Sequence, residues 1–135
     1  MWCIRPMARI VEKVRGEIPG ARIIGFPRGA GTLLPTYAAR VGIDAVSLDW
    51  TIDRGFARAQ LAAGIAVQGN LDPAALCAGG TGLDQAVDDV LEGFTGRPFI
   101  FNLGHGVLPD TPVAHVERLI ARVRGQEHVN ERCHV

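Results

Sequence analysis

Four short runs of apolar residues, at 22–26, 45–50, 65–69 and 98–103, constrain this chain more than any other feature. Each is close to continuous in apolar character rather than alternating, the pattern of a parallel strand covered on both faces. A helical pattern follows each run, so the order is strand, helix, strand, helix. Parallel neighbours joined by crossover helices are the expected product.

The helices carry their own punctuation. A first helix is expected to start near Pro6, with Met7, Ile10, Val11 and Val14 on one face and Pro19-Gly20 at its end. A second spans 32–40, closed by Gly42 as a C′ glycine. A third spans 53–63, with Asp53 as N-cap and Gly64 as the stop. Asp72 followed by Pro73 marks an N-cap and N1 pair that opens a short helix over 74–78. Two amphipathic stripes, at 83–94 and 112–123, complete the set. Taken together the chain is α/β, with four consecutive parallel βα units. A doubly wound sheet and half of a (β/α)8 barrel both satisfy the pattern.

At 135 residues the chain is a single domain, expected over 1–125, with a polar, disordered tail at 126–135. Apolar residues make up 47%, enough for a core, and 14 basic residues balance 14 acidic ones. No basic cluster points to nucleic acid. No apolar run reaches the roughly 18 residues that span a bilayer, and no signal-peptide pattern opens the chain, so no membrane partner is expected and the cytoplasm is the expected location. Cys3, Cys77 and Cys133 form no CxxC pair, which leaves neither a disulfide framework nor a zinc knuckle.

Polar residues collect where the runs end, at 27–31, 49–51, 68–72 and 102–106. In both candidate architectures ligands bind beyond the C-terminal ends of the strands. Gly29-Ala30-Gly31 suits a tight βα turn better than a phosphate loop, because Arg28 precedes the glycines and neither GxGxxG nor GxxxxGK[ST] is present. Asp49 is either an acid, base or ligand contact, or a buried helix-capping carboxylate. Asn70, beside Gly69, divides the same way between cleft and structure, and Asp72 before Pro73 reads as a cap. His105 is the sharpest candidate: it lies between two glycines just past a run, and imidazole donates, accepts or shuttles a proton near neutral pH. A structural histidine is the competing view. His115, His128 and His134 lack metal-ligand spacing, so no metal site is expected.

Three segments carry a family resemblance. GIDAVSLDWT at 42–51, VQGNLDP at 67–73 and FNLGHG at 101–106 resemble, in order and spacing, the C-terminal part of uroporphyrinogen decarboxylases. Pro109, Asp110 and the helix carrying His115-Val116 continue the likeness, which runs from about Pro6 to Arg124. The joint occurrence of LDW, QGNLDP and NLGHG is specific where each alone is weak.

The resemblance implies the half-barrel, the last four βα units of a (β/α)8 TIM barrel more than twice this long. It further implies cytoplasmic homodimers that use no metal or organic cofactor. Their reaction removes the acetate carboxyls of uroporphyrinogen III to give coproporphyrinogen III, in haem and tetrapyrrole synthesis. The tetrapyrrole is thus the implied partner. Of the family's active-site set only the histidine of NLGHG carries over, onto His105, as a hydrogen-bonding group to substrate. The family's Asp and Arg groups near the N-terminus, and its Tyr and Ser or Thr from mid-chain, have no counterpart here, so the isolated chain is expected to be inactive. Asp49, Gln68 and Asn70 match motif positions near the cleft, and Arg28 joins them as a substrate-binding candidate. Two rivals follow. A corrinoid-dependent methyltransferase relative would bind zinc through His and Cys, yet no Cys lies at a strand exit. A non-catalytic tetrapyrrole-binding or assembly half-barrel would keep the NLGHG loop without the chemistry.

Overall fold

The computed structural model describes residues 2–131. Its helices are α1 (Ile4–Glu17), α2 (Leu34–Val41), α3 (Arg54–Gln60), α4 (Pro73–Ala78), α5 (Gly80–Gly93) and α6 (Val113–Glu131). Its strands are β1 (Ile24–Gly25), β2 (Ala45–Ser47), β3 (Ala66–Leu71) and β4 (Phe99–Leu103), in one parallel sheet ordered β1-β2-β3-β4. Each strand lies beside its successor in sequence, as consecutive βα units require.

The register separates two faces. Gly25 pairs with Val46, Val46 with Val67, and Val67 with Phe99. This row faces the helices: Val46 and Val67 are fully buried in a core with Leu34, Leu48, Leu76, Leu83, Val87, Val90 and Phe94, and Phe99, Phe101 and Leu103 pack against it. Burying each large side chain contributes about 1.5–3 kcal/mol. Gly25 lets β1 lie close to α2, because a Cβ there would be 2.9 Å from both Ile43 Cδ1 and the Tyr37 hydroxyl and would push those side chains aside. A second cluster, Val11, Tyr37 and Val41, joins α1 to α2.

The opposite face carries Ile24, Phe26, Ser47, Gln68, Ile100 and Asn102. Burial on both faces is expected of every strand, and it holds throughout for β2 alone; in β3 Ala66 and Gln68 are half-buried. β4 alternates, and Ile24, Phe26 and Ile100 are 46%, 44% and 43% exposed. The cause is that β1 and β4 are sheet edges, and among the described residues no element covers this face at those edges.

Local signals set most helix boundaries. The Asp53 carboxylate accepts the Phe56 N–H at 2.6 Å, and that of Asp72 accepts the Ala74 N–H at 2.8 Å, so both expected N-caps form. Gly42 closes α2 in the left-handed conformation, at φ 81°. Other boundaries differ from expectation. α1 begins two residues before Pro6, which the first turn tolerates. One 3-10 turn, Gly31–Leu33, precedes α2. α5 begins at Gly80, separated from α4 by Gly79 at φ 70°. The His115 ring covers Gly79, with Nδ1 3.0 Å from the Leu76 carbonyl, so α6 caps the end of α4. α6 continues to Glu131. The rest of the expected tail, 132–135, lies outside the described residues.

α3 stops at Gln60, short of the expected Ala63, because Leu61 turns into the core at 5% exposure. The carbonyls freed there find a guanidinium. Arg97 donates to the carbonyls of Ala62 at 2.6 Å and Ile65 at 3.1 Å. Arg58, on α3, donates to those of Thr95 at 2.9 Å and Gly93 at 3.3 Å, at the end of α5. These two arginines tie together the turns that lead into β3 and β4. On the outer surface Arg118 and Arg122 of α6 make two-pronged ion pairs with Asp84 and Asp88 of α5. The side-chain hydrogen bonds from Arg118 and Arg122 hold the Asp84 and Asp88 carboxyls below the usual carboxylate range.

Candidate functional site

The strand exits converge on one rim. Below it, an open cleft of about 330 Å3 is lined by Ile24, Phe26, Ser47, Gln68, Asn102 and His105. Every second residue of a strand faces the same side, so the positions that reach the cleft follow from the register. Gln68 Nε2 donates to Ser47 Oγ at 3.2 Å, which makes a polar floor between Ile24 and Asn102.

His105 stands at the mouth of this cleft. Its ring meets Trp50 edge-on, with centroids 5.8 Å apart at 66°, and Phe26 edge-on at 6.4 Å and 77°. The Gly106 N–H donates to His105 Nδ1 at 2.6 Å. The Arg28 guanidinium carbon sits over the indole, 5.4 Å from the ring centroid, a cation–π contact. Arg28, Trp50, His105 and Phe26 therefore form a continuous row across the exits of β1, β2 and β4. Gly104 brings the last exit close: its N–H donates to the Leu71 carbonyl at 2.7 Å, and a Cβ on it would lie 2.3 Å from the Trp50 nitrogen.

Asp49 and Asn70 lie underneath. Asp49 is 3% exposed, and its carboxylate accepts the Gly29 N–H at 2.7 Å, the Thr51 N–H at 2.9 Å and the Thr51 hydroxyl. Burial acts to raise its pKa. The hydrogen bonds from Thr51 and Gly29, with the Arg28 charge, outweigh burial and hold the carboxyl below its ordinary range. Asn70, 2% exposed, donates through Nδ2 to the carbonyls of Ile52 at 2.8 Å and Asp49 at 3.2 Å. Its Oδ1 is buried with no hydrogen-bond partner among the described residues. The peptide bond before it, Gly69-Asn70, is cis.

Of the five residues singled out from sequence, His105 and Gln68 thus line the cleft, and Arg28 lies on the rim beyond Trp50. Asp49 and Asn70 brace the exits from below, with the Asp49 oxygens already engaged by the chain. Phe26, Trp50 and Ser47 complete the wall and carry no chemical signature in the sequence. Parity along the strands would have found Phe26 and Ser47, since positions 24, 26, 47, 68, 100 and 102 share one face. No group of three or more His, Cys, Asp or Glu among the described residues is placed to hold a metal ion, and no helix among them is long and apolar enough to cross a membrane.

The chain is similar over most of its length to proteins of one known family. The uroporphyrinogen decarboxylase (URO-D) family model matches residues 1–126. Uroporphyrinogen decarboxylases of Rhizorhabdus wittichii, Sphingopyxis alaskensis and Brucella anthropi are 59%, 56% and 53% identical over 124 residues. Each match covers 92% of this chain and 36% of the relative, so the chain spans about a third of the length of the curated relatives it matches. Both the family model and these relatives place the match in the uroporphyrinogen decarboxylase family.

Proposed function

The chain belongs to the uroporphyrinogen decarboxylase family, and on that premise we propose that it forms the last four βα units of a carboxy-lyase acting on uroporphyrinogen. The cleft under His105 would be one wall of that enzyme's substrate site. Cytoplasmic location and a homo-oligomeric assembly belong to the same proposal.

The reaction explains what such a wall must do. Losing CO2 from a pyrrole acetate leaves an electron pair on the side-chain carbon. Protonating the ring first turns it into a cationic sink for that pair, so the substrate does what a cofactor does elsewhere. The protein supplies orientation, water exclusion and hydrogen bonds to the carboxylates. Phe26, Trp50 and Ile24 offer apolar surface to the macrocycle. His105, Gln68 and Asn102 offer hydrogen bonds at its margin, and Arg28 adds positive charge on the rim. The observation that carries this proposal is His105 held between Phe26 and Trp50 at the mouth of the cleft.

A chimera tests it. Residues 1–126 would replace the matching segment of the Rhizorhabdus wittichii enzyme, and coproporphyrinogen formation would be followed. Retained turnover is the expected result. A folded chimera without decarboxylation would overturn the proposal.

A further inference from the structure

The backbone decides which nitrogen His105 offers to a ligand. Nδ1 accepts the Gly106 N–H at 2.6 Å. A neutral imidazole carries one proton, and the nitrogen that accepts a hydrogen bond is not the one that carries it. The proton is then on Nε2, for which the described residues provide no partner. Trp50 and Phe26 both meet the ring edge-on and favour this arrangement of it. Trp50 is itself fixed, by Arg28 over its ring and by Gly104 packed against its backbone.

We infer that Trp50 and the Gly106 amide are positioning groups that lock neutral His105 as the Nε2–H tautomer, so that it meets a ligand as a hydrogen-bond donor. The class of group it takes follows. An Nε2–H pairs with an acceptor, a carboxylate or carbonyl oxygen, and does not pair with an N–H. Arg28, over the same indole, makes the rim electropositive and favours a carboxylate. This last step rests on the uroporphyrinogen proposal: the histidine then grips a side-chain carboxylate, and the pyrrole N–H groups are left to other parts of the enzyme.

The test uses the 135-residue chain labelled with 15N-histidine, at about pH 8, above the ordinary histidine range. Magic-angle-spinning NMR of sedimented protein reads the ring nitrogens whatever the association state. The His105 pair is assigned by its disappearance in His105→Gln. The expected spectrum has an unprotonated Nδ1 and a protonated Nε2. Trp50→Phe, which keeps an edge-on ring, should preserve the single pair. Trp50→Ala, its fold checked by circular dichroism, should add a second pair from the Nδ1–H form. A protonated Nδ1 in the unmodified chain would overturn the tautomer. A single unchanged pair in Trp50→Ala, or a second pair in Trp50→Phe, would remove Trp50 from the positioning role. The probe for the ligand is uroporphyrin, the oxidised analogue of the substrate, which should shift Nε2 more than Nδ1. No shift, with the tautomer intact, would overturn the carboxylate assignment and leave the lock in place, whereas the uroporphyrinogen reading stands or falls on turnover by the chimera.

Discussion

The carboxylate of Asp49 holds the backbone N–H of Gly29, 20 residues earlier in the chain, at 2.7 Å. One buried side chain thereby fixes the exit loop of β1 to that of β2, and with them the spacing between Arg28 and Trp50. Asp49→Asn leaves a single acceptor oxygen where two were engaged. It should cost about 1.5–3 kcal/mol, the range for a hydrogen bond to a charged group. Urea unfolding of both proteins measures it.

The same carboxyl predicts a pH dependence. Its folded pKa lies below the ordinary value of about 4, so its contribution is complete above that value and is lost as pH falls through the lower folded value. In Asp49→Asn this acid-side loss should be smaller. Midpoints of denaturation followed from neutral pH to below the carboxylate range check the sign. An equal slope in the two proteins would show that Asp49 is not the titrating group.

Two glycines flanking His105 should respond differently to substitution. A Cβ at Gly104 would sit 2.3 Å from the Trp50 nitrogen and 2.8 Å from its Cα, and backbone atoms cannot step aside. Gly104→Ala should destabilise by about 1–3 kcal/mol as the loop is forced outward. Gly106 has nothing within 4 Å of a Cβ, and its alanine variant should melt like the parent. Thermal denaturation of both variants decides.

Coproporphyrinogen formation by the isolated chain should not exceed the uncatalysed rate. The chain lacks the Asp and Arg groups that the family resemblance implies, and each group that stabilises developing charge matters by about 10²-fold or more. In the chimera described above, His105→Ala should slow turnover and leave the melting temperature in place, because an exposed loop side chain opens no core cavity. A large drop in melting temperature with normal activity would instead make His105 structural.

The isolated chain should self-associate. β1 and β4 each pair on one side only, and a groove of about 650 Å3 beside β4 is lined by Phe99, Ile100, Phe101, Leu119, Ile120 and Val123. Unpaired edges with little charge recruit other strands. Apolar surface left in water forgoes roughly 25 cal/mol per Å2. Two copies pairing β4 to β1 in both directions would close an eight-stranded barrel. Sedimentation at micromolar concentration should therefore show a dimer or larger species. A cooperative monomer would show that the open face is tolerated.

The alternation of strand and helix, the caps at Asp53 and Asp72 and the closing glycine at position 42 were legible because each depends on residues within a few positions of one another. The cleft wall was not. Phe26, Trp50 and His105 come from three different strand exits, and their meeting depends on register. Asp49 suits ligand or structure equally, and the partner its carboxylate holds, Gly29, lies on a neighbouring strand's loop. Asn70 matched a motif position near the cleft. The structure turns its amide inward, to the carbonyls of Asp49 and Ile52. The end of α3 falls short of the expected residue because Leu61 turns into the core, and Arg97, far along the chain, donates to the Ala62 and Ile65 carbonyls just beyond it.

That exchange between Arg58 and Arg97 divides the labour of the sheet. Both guanidiniums bind main-chain oxygens at the end of the strands remote from His105. Any side chains in those turns present the same carbonyls, so the clasp tolerates sequence drift there while resisting the loss of either arginine. The rim behaves in the opposite way, its geometry resting on particular side chains and one glycine. Random mutagenesis should therefore sort by location: hits at the arginine end lower yield, and hits at the rim alter what the protein holds.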